Sequence, residues 1–213
     1  MFADRADAGR RLADALEERD IAGDVVLAVP RGGLPVGRVV ADRLDTPLDI
    51  VAARKIGAPW NPELAIGAVA SDGTVWLNDA LVRDLGVDDD YIEEQTRIER
   101  ENARAKVDRY RGDRPPLDLH GKTVVIVDDG VATGATTLAC IAAARNAGAA
   151  RVILAVPVAP PETVSRLETA ADSVVTVETP RGFGAVSQHY RNFPQVSDSE
   201  AKTYLDYTES SGS

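Results

Sequence analysis

The sequence is poor in several things that would have named a function outright. It has one cysteine, Cys140, so an intrachain disulfide and a cysteine-rich metal site are excluded. Set among alanines in an expected helix, it reads as a buried thiol. No apolar run approaches the ~20 residues of a membrane span, and the opening "MFADRADAGRR" carries acids without an apolar centre. A cytoplasmic protein without a membrane partner is the expectation. Positive charge is also in deficit. The net charge of −10 opposes nonspecific attraction to nucleic acid, and nucleic acid is not an expected partner. Of the 24 cationic residues only four are Lys; the Arg bias suits bidentate phosphate contacts but follows equally well from genomic base composition. Three familiar loops are missing too: GxGxxG between strand and helix, GxxxxGK[ST], and GxSxG.

What remains is ordinary globular composition, 44 % apolar and 27 % charged, over 213 residues. That length buries one full core, and the reading is one domain over residues 1–200 with a tail over 201–213. "ADAGRRLADALEE" sets Ala8, Leu12, Ala15 and Leu16 at helical spacing. "DVVLAV" is a short buried strand running into the glycine loop "PRGGLPVG" and a helix. "LDIVAARKIG" reads as a further strand, "LAIGAVA" and "SDGTVWLN" as a hairpin, and residues 91–110 as a charged helix with Glu93 and Arg97 at i,i+4 spacing, a dimer or lid element. Strands near 25, 49, 123, 151 and 173 are continuously apolar rather than alternating. The fold class is therefore α/β: an open, mostly parallel twisted sheet covered by helices on both faces.

The most informative stretch is "TVVIVDDGVATGATTLACIAAA", residues 123–144. Ligands of open parallel sheets sit beyond the carboxyl ends of the strands, where Asp128 and Asp129 fall. The low-bulk loop after them exposes N–H groups and hydroxyls at the start of a helix, a cup for an anion. Two carboxylates would repel that anion. They make sense if the same ligand also offers hydroxyls or a divalent cation, as a phosphorylated sugar does; the plainer alternative is that they cap a helix or turn.

"VVIVDDGVATGATT" resembles the signature of the type I phosphoribosyltransferases. The resemblance implies a Rossmann-like core carrying a small hood, built here from the N-terminal residues and roughly 178–200, with a mobile loop at roughly 54–66. It implies that Asp128 and Asp129 bind the ribose hydroxyls of phosphoribosyl pyrophosphate (PRPP). Ala132, Thr133, Gly134, Ala135, Thr136 and Thr137 would hold its 5-phosphate. Mg²⁺ would be the cofactor, carried mainly by PRPP with help from Asp128 and Asp129. "VPRGGLPVG" is similar to the family's pyrophosphate loop, so Arg31, Gly32 and Gly33 would bind pyrophosphate around a non-proline cis peptide near Arg31 and Gly32. "AARKIGAPWNPELAIGAVASDG" matches the place of the mobile catalytic loop, so Arg54 and Lys55, with Arg31, would neutralise the leaving group, and Trp60 would ride on a lid. The implied assembly is a homodimer.

The resemblance also implies that the acceptor is a nitrogen-containing small molecule. Oxopurine-type members resemble "DDxxDTG", and the later acid is Ala132 here, which disfavours hypoxanthine and guanine. The acceptor pocket is expected in "TPRGFGAVSQHYRNF", where Phe183 or Tyr190 would stack on a base and His189 would hydrogen-bond or move a proton; core packing is the competing role for each. His120 is assigned none. Other readings stay open: a PRPP-sensing regulatory or RNA-binding protein that keeps the cup, and a lyase or hydrolase of other sugar phosphates.

Overall fold

The computed structural model describes residues 1–205. Five parallel strands form the main sheet: β1 (Val25–Ala28), β2 (Leu48–Ile50), β6 (Thr123–Val127), β7 (Arg151–Val158) and β8 (Ser173–Glu178), in the order β2-β1-β6-β7-β8. Between β2 and β6 the chain makes a second, antiparallel sheet of β3 (Ala53–Ala58), β4 (Asn61–Ala70) and β5 (Val75–Leu77). The expected parallel α/β architecture is borne out. Strand β6 lies at its centre, with Val25 to Ala28 opposite Val124 to Val127 and Val124 to Val127 opposite Val152 to Ala155.

Both faces of this sheet are covered, which explains the continuous apolar runs. On one face Val26, Val125, Val127 and Ile153 pack with Leu12 and Leu16 of α1 (Arg5–Glu17) and with Val36 and Val40 of α2 (Gly33–Leu44). On the other, Leu27, Val124, Ile126 and Leu154 meet α5 (Ala135–Asn146), whose far side packs against Ala68 and Ala70 of β4. Helix α5 is thus clasped between two sheets. A helix so placed has no broad solvent face, and alanine is the side chain that lets both sheets approach it.

The chain leaves β1 toward β2 on one side of β6 and continues from β6 to β7 and β8 on the other. This reversal between adjacent strands opens a crevice at their carboxyl ends, where the loops after β1 and β6 face each other.

Several expected boundaries move. "LDIVAARKIG" is two strands, because the chain leaves the main sheet after Ile50 and joins the small sheet at Ala53. The segment 54–66, expected as a mobile loop, is mostly ladder: β3 and β4 pair from Ala53 opposite Ala70 to Ala58 opposite Asn61, leaving Trp60 exposed at the tip. A helix not foreseen, α3 (Asp79–Leu85), starts on the side chain of Asn78, which accepts from the amide of Leu81. The charged helix is α4 (Asp89–Arg111), longer than expected, and in it Arg97 pairs with Glu94 and Glu101 rather than Glu93. After α6 (Pro161–Leu167), the last described helix is α7 (Asp198–Leu205), which buries Ala201 and Leu205. It takes five residues from the expected tail; the rest of that tail lies outside the described residues. No helix among the described residues is long and apolar enough to cross a membrane.

Ile126 is completely buried in the central strand. Replacing it with Ala should cost about 2–5 kcal/mol through lost burial and an unfilled cavity, read as a lower urea midpoint at unchanged m-value.

Candidate functional site

Asp128 and Asp129 follow the last residue of β6 beneath the β1 loop, and the two loops are in direct contact. A Cβ on Gly32 would lie 2.0 Å from Oδ2 of Asp129, and one on Gly33 would lie 2.8 Å from the carbonyl of Val127. "RGG" therefore has glycines because any side chain there would collide with the acid pair and its strand. A non-proline cis peptide lies at Arg31, between Pro30 and Arg31, as expected for this loop.

Each acid is held by a backbone, Arg or Tyr contact. The Asp129 amide donates to Oδ1 of Asp128 at 2.8 Å, and Arg5 Nε donates to Oδ2 of Asp129 at 2.8 Å. Arg5 also donates to the Pro194 carbonyl at 2.6 Å and lies 3.7 Å above the Phe193 ring. Tyr190 Oη donates to the Asp129 carbonyl at 2.5 Å. Burial, then the neighbouring Asp129 carboxylate, push Asp128 well above the usual carboxylate range, against the pull of the Lys106 ammonium. Burial also raises Asp129, with the Arg5 guanidinium opposing it. A site that holds two acids out of water in this way favours a ligand bringing hydroxyl donors or a cation.

Beside the pair, Gly134 turns the chain into α5 with a φ of +78°, a conformation open to glycine. None of the backbone amides from Ala132 to Thr137 donates to a described residue. Amides left without acceptors at a helix start are a geometry that suits an anion. Ala132 and Thr133 are exposed and Thr137 is buried. The loop is clamped from outside by Thr163, a residue without any sequence signal, whose hydroxyl donates to the Ala132 carbonyl at 2.6 Å.

The cations separate. Arg31 and Arg54 line one cavity of ≈ 460 Å³ together with Lys106 and Arg109 of α4. Lys55 points elsewhere and pairs with Glu63 at 3.1 Å, as expected of neighbours that alternate along a strand. Arg31 bonds Oδ1 of Asp198 at 3.1 Å and Arg54 bonds Glu99 at 3.0 Å. Tyr110 Oη, at 2.7 Å, is the chief reason that Asp198 sits below the usual carboxylate range.

Phe183, His189 and Tyr190 do not gather around a cavity. Tyr190 is buried with Phe2, Ala8 and Val158; Phe183 stacks on His189 with centroids 5.0 Å apart. His189 Nδ1 lies 3.9 Å from Glu178, and Nε2 is buried without a partner. Facing Asp129 and Arg31 across a cavity of ≈ 510 Å³ are instead Val186 and the run Phe193–Val196. Of the two roles open to these aromatics, packing is the one seen for Tyr190, which is buried, while Phe183 and His189 are half-buried against each other. Lys106 and Arg5 line the same cavity and carried no signal in the sequence, since each sits in a helix whose charges look like a solvated face.

The family described as "Phosphoribosyl transferase domain" matches residues 3–190. The chain belongs to the phosphoribosyltransferase family. A Mycobacterium tuberculosis protein whose name contains the words phosphoribosyl transferase is 45 % identical over 206 residues, covering 97 % of this chain and 46 % of that protein. The chain thus spans about half the length of the curated relatives it matches. A Thermus thermophilus protein, TT1426, is similar in structure, with a TM-score of 0.84 at 42 % identity, covering 96 % of this chain and 97 % of the other. A Neisseria gonorrhoeae protein crystallised with ppGpp shares the fold, with a TM-score of 0.50 at 14 % identity over 97 % of both chains.

The raised carboxyls of this phosphoribosyltransferase domain give a stability prediction. Between 3.8 and its raised native value, Asp128 keeps in the native state a proton that the unfolded chain has released, so stability falls as pH rises through that window. Asp128→Asn should therefore melt above the wild type at pH 8, and the gap should close as the pH is lowered toward 4.

Proposed function

We propose that this domain transfers the 5-phosphoribosyl group of PRPP to a nitrogen of a nucleobase-like acceptor and releases pyrophosphate. One observation carries the reading: a buried acid pair, a ring of free amides and an arginine loop meet in the crevice where the sheet reverses direction. The ribose hydroxyls donate to Asp128 and Asp129, and the 5-phosphate lies against the amides of Ala132 to Thr137. Pyrophosphate faces Arg31 and Arg54. As the acceptor nitrogen forms its bond to C1, the C1–O bond breaks, pyrophosphate leaves with the electron pair, and the nitrogen gives up its proton. Guanidinium charge already in place where negative charge develops lowers the barrier, and no covalent enzyme intermediate is needed.

Mg²⁺ fits the donors present. Among the described residues no cluster of three or more His, Cys, Asp or Glu side chains could cage a metal ion. Asp128 and Asp129 supply hard oxygens at the sugar end, the one or two carboxylates that Mg²⁺ takes beside substrate oxygens. When bound, the ion would offset charge on pyrophosphate. The acceptor would sit against Val186 and Phe193–Val196, while Phe183, His189 and Tyr190 support that wall from behind.

The decisive experiment incubates the protein with PRPP, Mg²⁺ and a panel of purine and pyrimidine bases, following pyrophosphate and nucleotide together. Nucleotide and pyrophosphate in equal amounts are the expected outcome. Binding of PRPP with no product from any base would assign a sensor instead. Asp128→Asn with Asp129→Asn should weaken PRPP roughly tenfold or more, since each lost charge-assisted bond is worth about 1.5–3 kcal/mol; unchanged affinity would overturn the site.

A further inference from the structure

Helix α4 carries three residues toward the crevice. Its buried stripe, Ala103, Val107 and Tyr110, anchors it to the core. On the adjoining face Asn102, Lys106 and Arg109 follow at i, i+4 and i+7, and all three line the cavity that holds Arg31 and Arg54. Lys106 reaches further than the other two. With Arg31 it also lines the cavity containing Arg5 and Asp129, so these two cations stand where the sugar side and the arginine side of the crevice join.

Lys106 differs from every other cation there. Arg5 is paired with Asp129, Arg31 and Arg109 with Asp198, and Arg54 with Glu99. Lys106 makes no hydrogen bond or ion pair with any described residue. It is half-buried, and Asp128 is the chief group attracting it while Arg31 and Arg54 repel it. Burial is the larger influence, and it draws the ammonium below the ordinary lysine range. A cation kept partly out of water beside two guanidinium groups is costly unless a polyanion completes the cluster.

We infer that Lys106 is a substrate-binding residue for the diphosphate of PRPP, set by α4 between the acid pair and Arg31 and Arg54 so that the site selects a diphosphorylated sugar over its monophosphate. This rests on the reading of the crevice as a PRPP site. The extra helix thereby gains a function: it brings to the leaving group a positive charge that the strand-borne Lys55 does not supply. The competing role is that Lys106 only balances Asp128. In that case its loss would alter every ribose ligand alike and leave free pyrophosphate untouched.

The test is calorimetric titration of the wild type, Lys106→Ala and Lys106→Arg with PRPP, pyrophosphate and ribose 5-phosphate in Mg²⁺. Lys106→Ala should weaken PRPP and pyrophosphate roughly tenfold or more while ribose 5-phosphate stays within about twofold, and Lys106→Arg should recover most of the loss. Ribose 5-phosphate binding and the melting temperature report whether each variant is folded; Lys106→Met, which keeps the aliphatic stem, serves if the Ala variant is not. PRPP affinity within about twofold of the wild type, or equal losses for PRPP and ribose 5-phosphate, overturns the inference while the PRPP reading stands. A wild type that binds neither PRPP nor pyrophosphate overturns both.

Discussion

The constraint from which the crevice is built is the burial of two adjacent carboxylates at the end of the central strand. Asp128 and Asp129 cannot be approached by side chains from the β1 loop, so that loop is glycine where it touches them. They cannot stand without compensation, so Arg5 from the first helix and the Asp129 amide serve their oxygens. Arg5 in turn is fixed by the Pro194 carbonyl and the Phe193 ring. One electrostatic problem thus ties the N-terminal helix, the glycine loop and residues 190–196 together. The segments join through backbone as well: the Phe2 amide donates to the His189 carbonyl, and the Arg191 amide donates back to the carbonyl of Phe2.

A second dependence runs through α5. Its first turn leaves amides without acceptors, its flanks are alanine, and it is gripped by the parallel sheet on one side and by β4 on the other. The strand β3, which carries Arg54, is paired to that same β4. The start of α5 and the Arg54 guanidinium are therefore carried by one packed block, which sets their separation.

The architecture was legible because the signals behind it are local. Continuous apolar strands, a helix after each, and a glycine loop at a strand end are visible residue by residue, and the acid pair with its low-bulk loop stands out against any background. What stayed hidden depends on which way a side chain turns. Arg54 and Lys55 are neighbours in sequence, yet strand alternation sends one into the crevice and the other to Glu63. Phe183 and Tyr190 looked like ligand-stacking groups, but the Tyr190 ring is buried against Phe2 and Phe193, and Phe183 stacks on His189. Lys106 was concealed by company: in a helix with so many charges only the buried stripe of Ala103, Val107 and Tyr110 reveals which of them face inward.

The contact of Asp198 with Arg31, Arg109 and Tyr110 has one more consequence. The crevice carries a carboxylate of its own, so any anion that is to bind Arg31 and Arg109 has to substitute for Asp198. Substitution favours the competitor that can engage several donors at once, because a lone charge merely trades one ion pair for another. The last described helix is thereby coupled to the crevice: whatever would draw Arg31 and Arg109 away from Asp198 would also free the start of α7.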